Sequence, residues 1–315
     1  MSGLRDRLID AGYGLGWSVV CRLPESWAQS AFRFFADLAW LRRGPGVRVL
    51  EANLRRVIGC QAPVDQLRGL SRQAMRSYAR YWLEAFRLPV TPTARLVAGM
   101  HDTGHIRDAF GYLAAGRGVI LALPHMGNYD LAGAWLIAKG AGSVTVVAER
   151  VQPESVYDRF VAFREGIGME VVPASGGTGS VFGILAQRLR AGKTVGLVCD
   201  RDVTGAGIEV EFFGEKARMM GGPAALAVQT GAALMPVILW FEGDHWGAHV
   251  HAEVLVPAEG DNEQQAAAMM REVARLFEAG IGAHPQDWHM LQRVFVADLD
   301  PGRLRRAAAG ESSQR

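Results

Sequence analysis

Hydrophobic and polar positions along the chain fall into two regimes. Up to about residue 115, apolar residues recur at three- and four-residue spacing over segments near 4–20, 25–42, 47–57, 65–87 and 104–115. Pro24, Gly44-Pro45, Pro63 and Pro89 break them. That spacing places apolar side chains along one side of a helix, so it predicts a mostly helical N-terminal region. From residue 117 the rhythm changes to short apolar runs, rich in Val, Ile and Leu, at 118–123, 144–148, 169–173, 194–199, 208–213, 233–241 and 248–256. Helical patterns separate them at 129–140, 154–166, 180–191 and 222–231, and a last one follows at 264–281. Strands alternating with helices predict an α/β core, a mostly parallel central sheet flanked by helices. The expected organisation is a helical region over 1–115 packed on the core, the core over 116–300, and a polar, Ala-rich, frayed tail over 301–315, together forming one structural unit.

Composition narrows the class. The 315 residues suffice for a large core, and 49% hydrophobic with 21% charged residues is the balance of a folded globular protein. A net charge of +2 gives no reason to expect nucleic acid as the main partner. Cys21, Cys60 and Cys199 are widely separated and form no paired metal motif, which fits reduced, buried thiols and no metal. No run of eighteen apolar residues predicts a membrane-spanning helix, and Asp6 and Asp10 disrupt a signal-peptide layout.

The first two helical segments combine Trp17, Trp27, Phe32, Phe34, Phe35 and Trp40 with Arg5, Arg7, Arg22, Arg33, Arg42 and Arg43. That mixture suits helices lying in a membrane interface. The alternative is that the aromatics pack on the core and the arginines are a solvated face. Residues 1–56 carry nine arginines against five acidic residues, a net charge of +4 that would attract anionic lipid.

The most informative chemistry lies in Pro124-His125-Met126-Gly127-Asn128-Tyr129-Asp130, between the predicted strand 118–123 and the helix that follows. Open α/β sheets place their chemistry at this strand-to-helix handover. Five residues across the turn can bring His125 and Asp130 together, with the carboxylate fixing the ring tautomer and the other nitrogen free to accept a proton. A histidine capping the helix start is the structural alternative. Glu149-Arg150 closes the next strand and should reach the same sheet edge. Arg164, in Phe160-Val161-Ala162-Phe163-Arg164, is either a snorkelling surface residue or an anion binder. Asp200-Arg201-Asp202 follows strand 194–199 and forms either an internal salt-bridge network or a wall of the site. Ser175–Ser180 is glycine-rich and could cradle phosphate on backbone amides, but it fits neither the P-loop nor the dinucleotide fingerprint, so a plain loop with an N-cap is the expectation. The segment Phe212–Pro223, with Met219 and Met220, suits either a groove for an aliphatic chain or a core loop.

These blocks, with His284-Pro285-Gln286-Asp287-Trp288-His289, are similar in order and spacing to the lysophospholipid acyltransferase superfamily. The likeness covers roughly residues 100–295 and is strongest to its bacterial branch of lipid A lauroyl and myristoyl acyltransferases. Within that branch the chain most resembles the actinobacterial members that acylate phosphatidylinositol mannosides. The resemblance implies transfer of a fatty acyl group, palmitoyl, from acyl-CoA to a mannose hydroxyl at position 6, without a cofactor. It casts His125 as general base and Asp130 as the group orienting the imidazole. It also implies that Glu149, Arg150, Arg164, Asp200, Arg201 and Asp202 bind polar parts of the substrates. A peripheral location on the cytoplasmic face of the inner membrane, against anionic lipid, belongs to the same set of expectations. Asp200-Arg201-Asp202 departs from the Asp-Gln-Asp expected of lipid A enzymes, which weakens a lipid A-type acceptor. An acyl-CoA thioesterase and a non-catalytic lipid carrier are the alternatives.

Overall fold

The computed structural model describes residues 16–299, apart from 151–153, 176–179, 203–204 and 206. The expected tail, the first arginines and most of the glycine-rich loop 175–180 therefore lie outside the described residues.

Helical residues 16–22 (α1) lead into three longer helices, Glu25–Arg42 (α2), Pro45–Ile58 (α3) and Val64–Arg87 (α4). The breaks between them are the predicted ones: Arg43 ends α2 in a left-handed conformation, and Pro45 and Pro63 open the next two helices. A short helix, Thr93–Gly99 (α5), then precedes Met100–Gly104 (β1), a strand hidden in a stretch whose pattern predicts helices. The residues of β1 are mostly exposed, so no apolar alternation marks it.

The remainder alternates as predicted. Ile106–Ala114 (α6), Val119–Leu123 (β2), Tyr129–Ala138 (α7), Val144–Ala148 (β3), Glu154–Gly166 (α8), Glu170–Pro173 (β4), Val181–Arg190 (α9) and Thr194–Val198 (β5) follow one another. Ile208–Phe212 (β6) and Glu215–Met219 (β7) form a separate antiparallel hairpin rather than joining the main sheet. Gly222–Thr230 (α10), Ala233–Glu242 (β8), His245–Val250 (β9) and Asn262–Ala283 (α11) complete the chain. Residues 251–256, predicted as part of the last strand, lie beyond β9.

The main sheet has seven strands in the order β1-β9-β8-β2-β5-β3-β4. All neighbours are parallel except β8 and β9. On one side of the sheet Leu131 and Trp135 of α7 and Phe163 of α8 pack with Val119, Leu123 and Val144. On the other, Leu185 of α9, Leu226 of α10 and Phe277 of α11 pack with Ile120, Val195 and Leu197. Leu50, Leu54 and Met75 of α3 and α4 join this second cluster, so the helical region shares its core with the sheet. The chain leaves β2 through α7 toward β3, and leaves β5 through the hairpin and α10 toward β8, on the far side of β2. Between β2 and β5 the order reverses, which opens a crevice beyond their carboxyl ends.

Candidate active site

Strands β2 and β5 are paired in register, Leu123 opposite Val198. Two residues beyond each of these positions stand His125 and Asp200, and their side chains meet. His125 Nδ1 lies 2.5 Å from Asp200 Oδ1, and the His125 backbone N–H donates to Oδ2 at 2.9 Å. The indole N–H of Trp288 donates to the same Oδ2 at 2.9 Å. Asp200 is fully buried. Burial by itself would raise its pKa, but the charge and hydrogen bonds of His125 and the Trp288 donor outweigh this and hold it below the ordinary value of 3.8. A buried carboxylate kept ionised fixes the ring proton on Nδ1, which leaves Nε2 as the nitrogen available toward the cavity that His125 lines.

The loop carrying His125 is strapped in place. Gly127 has φ of +58°, and a Cβ there would stand 2.7 Å from the backbone of Leu239, so only glycine fits. Met126 forms an isolated antiparallel bridge with Trp288. The Gly127 N–H donates to the Asp287 carbonyl, and the His289 N–H donates to that of His125, at 3.0 and 2.8 Å. Asp287 in turn accepts from the Ser77 hydroxyl at 2.6 Å and the Phe241 N–H at 3.1 Å. Buried His289 lies 2.8 Å from the Ser77 hydroxyl. Its burial, with the charge of His125 adding to it, pushes its pKa down to about 3.

Asp130 does not orient the imidazole as its spacing suggests. It is the second residue of α7, and both its oxygens are engaged on the opposite side: Arg164 donates to Oδ1 at 2.7 Å and to Oδ2 at 3.2 Å, and the Tyr81 hydroxyl donates to Oδ2 at 2.8 Å. The helix starts from the tight turn at Gly127, with the Asn128 side chain capping the Leu131 N–H at 3.0 Å. Asn128 also donates to Glu84 of α4, which accepts from the Trp246 indole as well. Burial would lower the pKa of Arg164, but the Asp130 charge and hydrogen bonds outweigh it and raise the value, so the guanidinium stays charged. Arg164 is thus not a snorkelling surface residue: it and Asp130 both line the cavity and form an ion pair tying α8 to α7 and α4.

The other predicted residues separate. Arg201 lies 3.2 Å from Glu149, and both line the cavity. Arg150 points away, paired with Glu154 at 3.0 Å and stacked over Tyr157. Asp202 accepts from the Gly205 and Gly207 N–H groups, both at 2.9 Å, and so closes its own loop rather than lining the cavity. Ser180 caps α9, with its hydroxyl 3.5 Å from the Gly183 N–H. Met219 is core, whereas Met220 lines the cavity. Tyr81, Ser77 and Glu84 reach the site from α4; nothing in their sequence neighbourhood separates them from the other core-facing positions of a long amphipathic helix. Trp288 lies in a block with visible likeness to known proteins, but its hydrogen bond to Asp200 depends on pairing between segments 88 residues apart.

The cavity has a volume of about 1020 Å³ and is lined mainly by aliphatic side chains, among them Leu121, Val146, Leu185, Val198 and Leu226. An apolar cavity of this size, lined also by a histidine that is held through Nδ1 by a buried, ionised aspartate, is the arrangement of an enzyme that acts by general base catalysis on an apolar substrate. The family profile of bacterial lipid A biosynthesis acyltransferases matches residues 5–296, and the chain belongs to that family. It is 45% identical over 303 residues to the phosphatidylinositol mannoside acyltransferase of Mycolicibacterium smegmatis, covering 96% of each chain. It is 44% identical over 299 residues to the phosphatidylinositol mannoside acyltransferase of Mycobacterium tuberculosis, covering 93% of this chain and 90% of that one. The protein is therefore an acyltransferase.

Proposed function

We propose that this acyltransferase moves a palmitoyl group from acyl-CoA to the 6-hydroxyl of a mannose in phosphatidylinositol mannoside. The observation that carries the reaction type is the His125–Asp200 contact beside the apolar cavity. The relatives' names support the acceptor. In the proposed reaction His125 Nε2 takes the proton of the acceptor hydroxyl as its oxygen attacks the thioester carbonyl. The tetrahedral intermediate collapses by breaking the C–S bond. The thiolate leaves as coenzyme A after receiving the proton from the imidazolium. The buried charge of Asp200 stabilises that imidazolium while it exists. Asp130 and Arg164 act indirectly, by fixing α7 and the loop before it. Arg201 and Glu149, which line the cavity, are placed to meet polar parts of the substrates.

No described helix is long and apolar enough to cross a membrane. We place the protein peripherally, on the cytoplasmic leaflet where an acyl-CoA donor would be met; the membrane contact is supported by Trp27, Phe34 and Leu41, which repeat every seven residues along α2 and are 70%, 63% and 65% exposed. Phe35 beside them is 63% exposed. A stripe of large apolar side chains in water, flanked by arginines, is suited to burial in anionic lipid. Trp17 and Trp40, by contrast, are packed inward, against Phe86 and Arg68 respectively.

The test of this reading is coenzyme A release from palmitoyl-CoA, with and without phosphatidylinositol mannoside. Release that depends on the lipid is expected. Release at the same rate without the lipid would make the protein a thioesterase.

A further inference from the structure

Three half-buried residues lie side by side in the middle of the main sheet: Leu121 of β2, Gly196 of β5 and Val146 of β3, with Gly196 in register with both neighbours. The centre of a seven-stranded sheet covered by helices is normally fully buried, and on the opposite face Ile120, Val195 and Leu197 are. The exposure of these three is to the cavity, which all of them line. Gly196 has no local reason to be glycine. Its φ is not positive, and a Cβ added there would meet only Val146 and Val144 side chains at 3.6 and 3.7 Å, ordinary contact distances. Mid-strand glycine weakens a sheet, and one without a steric requirement marks a place where something else approaches the backbone. Gly133 on α7 differs: its Cβ would stand 2.3 Å from the Met169 methyl, so packing explains that glycine.

We infer that Gly196 is a specificity-determining residue, the floor of the channel where the distal half of the donor's acyl chain crosses the sheet. This rests on the acyl-CoA reading above. His125 lies four residues beyond Leu121, at most about 13 Å along the chain, so a thioester held beside His125 would place roughly the first ten carbons of an extended chain before the Gly196 floor. Acyl chains no longer than that end before the floor; palmitoyl chains pass over it. A side chain at this position therefore obstructs long chains and spares short ones.

The experiment measures equilibrium binding of palmitoyl-CoA and decanoyl-CoA, and transfer of each chain to phosphatidylinositol mannoside, for wild type, Gly196→Ala and Gly196→Val. The valine variant should lower the palmitoyl-to-decanoyl ratio of affinities and of kcat/KM by about tenfold or more, and the alanine variant by less. Thermal stability should hold or rise in both, since a side chain replaces a mid-strand glycine. If Gly196→Val does not fold, the alanine variant decides by the same ratio. Wild-type binding with an unchanged ratio in the variants would overturn the role of Gly196 alone. Wild-type binding without transfer would overturn the acceptor and leave Gly196 to be decided by affinity. A wild type that binds neither acyl-CoA would overturn both.

Discussion

Asp200→Asn isolates the carboxylate's part in the chemistry with the least change of shape. In the native site Oδ2 accepts from two donors, the His125 backbone N–H and the Trp288 indole, while Oδ1 faces His125 Nδ1. An asparagine must keep its one oxygen at the Oδ2 position, because turning it round would set its NH₂ against two N–H donors. The amide nitrogen then occupies the Oδ1 position and donates to Nδ1. The ring proton is driven to Nε2, and the nitrogen meant to accept the hydroxyl proton carries one already. The variant loses both the correct tautomer and the charge opposite the imidazolium, for which a fall of about 10³–10⁴ in kcat is expected. That corresponds to about 4–5.5 kcal/mol. Coenzyme A release at saturating acyl-CoA and acceptor measures it, with thermal melting to establish that the fold persists. Activity within tenfold of wild type in a folded variant would refute the role given to Asp200.

Asp130→Asn should act mainly on stability, since it strands the buried Arg164 guanidinium; a loss of about 3 kcal/mol or more is expected in denaturant unfolding, partly recovered on adding Arg164→Met. Buried His289 has a folded pKa of about 3 against an ordinary 6.5, so the unfolded chain binds the extra proton. Its contribution is therefore complete above pH ~6.5 and shrinks as pH falls, by about 2 kcal/mol at pH 5. Urea unfolding between pH 5 and 7.5 should show that slope flattened in His289→Gln. Replacing Trp27, Phe34 and Phe35 together by alanine should weaken co-sedimentation with anionic vesicles about a hundredfold or more, and high salt should weaken the wild type too.

The helices and strands that surround the site were legible because their periodicities are local. The four opening helices are punctuated by Pro24, Pro45 and Pro63, and the strand leading to His125 is a clean apolar run. The strand β1 was not legible, because an exposed edge strand carries no buried face to impose a pattern. Within the site, sequence distance misled. Asp130 is five residues from His125 yet turns to Arg164 and Tyr81, whereas Asp200 is 75 residues away and makes the contact. Both aspartates stood at expected sheet-edge positions. Choosing between them required knowing that β2 pairs with β5 in register, a fact of strand order that neither segment encodes by itself. Arg201 and Asp202 illustrate the same limit: adjacent in sequence, one lines the cavity and the other closes its own loop.

The role of His125 is tested most directly by single-turnover transfer with purified phosphatidylinositol mannoside and palmitoyl-CoA, comparing wild type with His125→Ala and locating the new acyl group by fragmentation mass spectrometry. One added palmitoyl group on a mannose 6-hydroxyl is expected with wild type, and none above background with a folded His125→Ala protein. Transfer by His125→Ala near the wild-type rate would contradict that role.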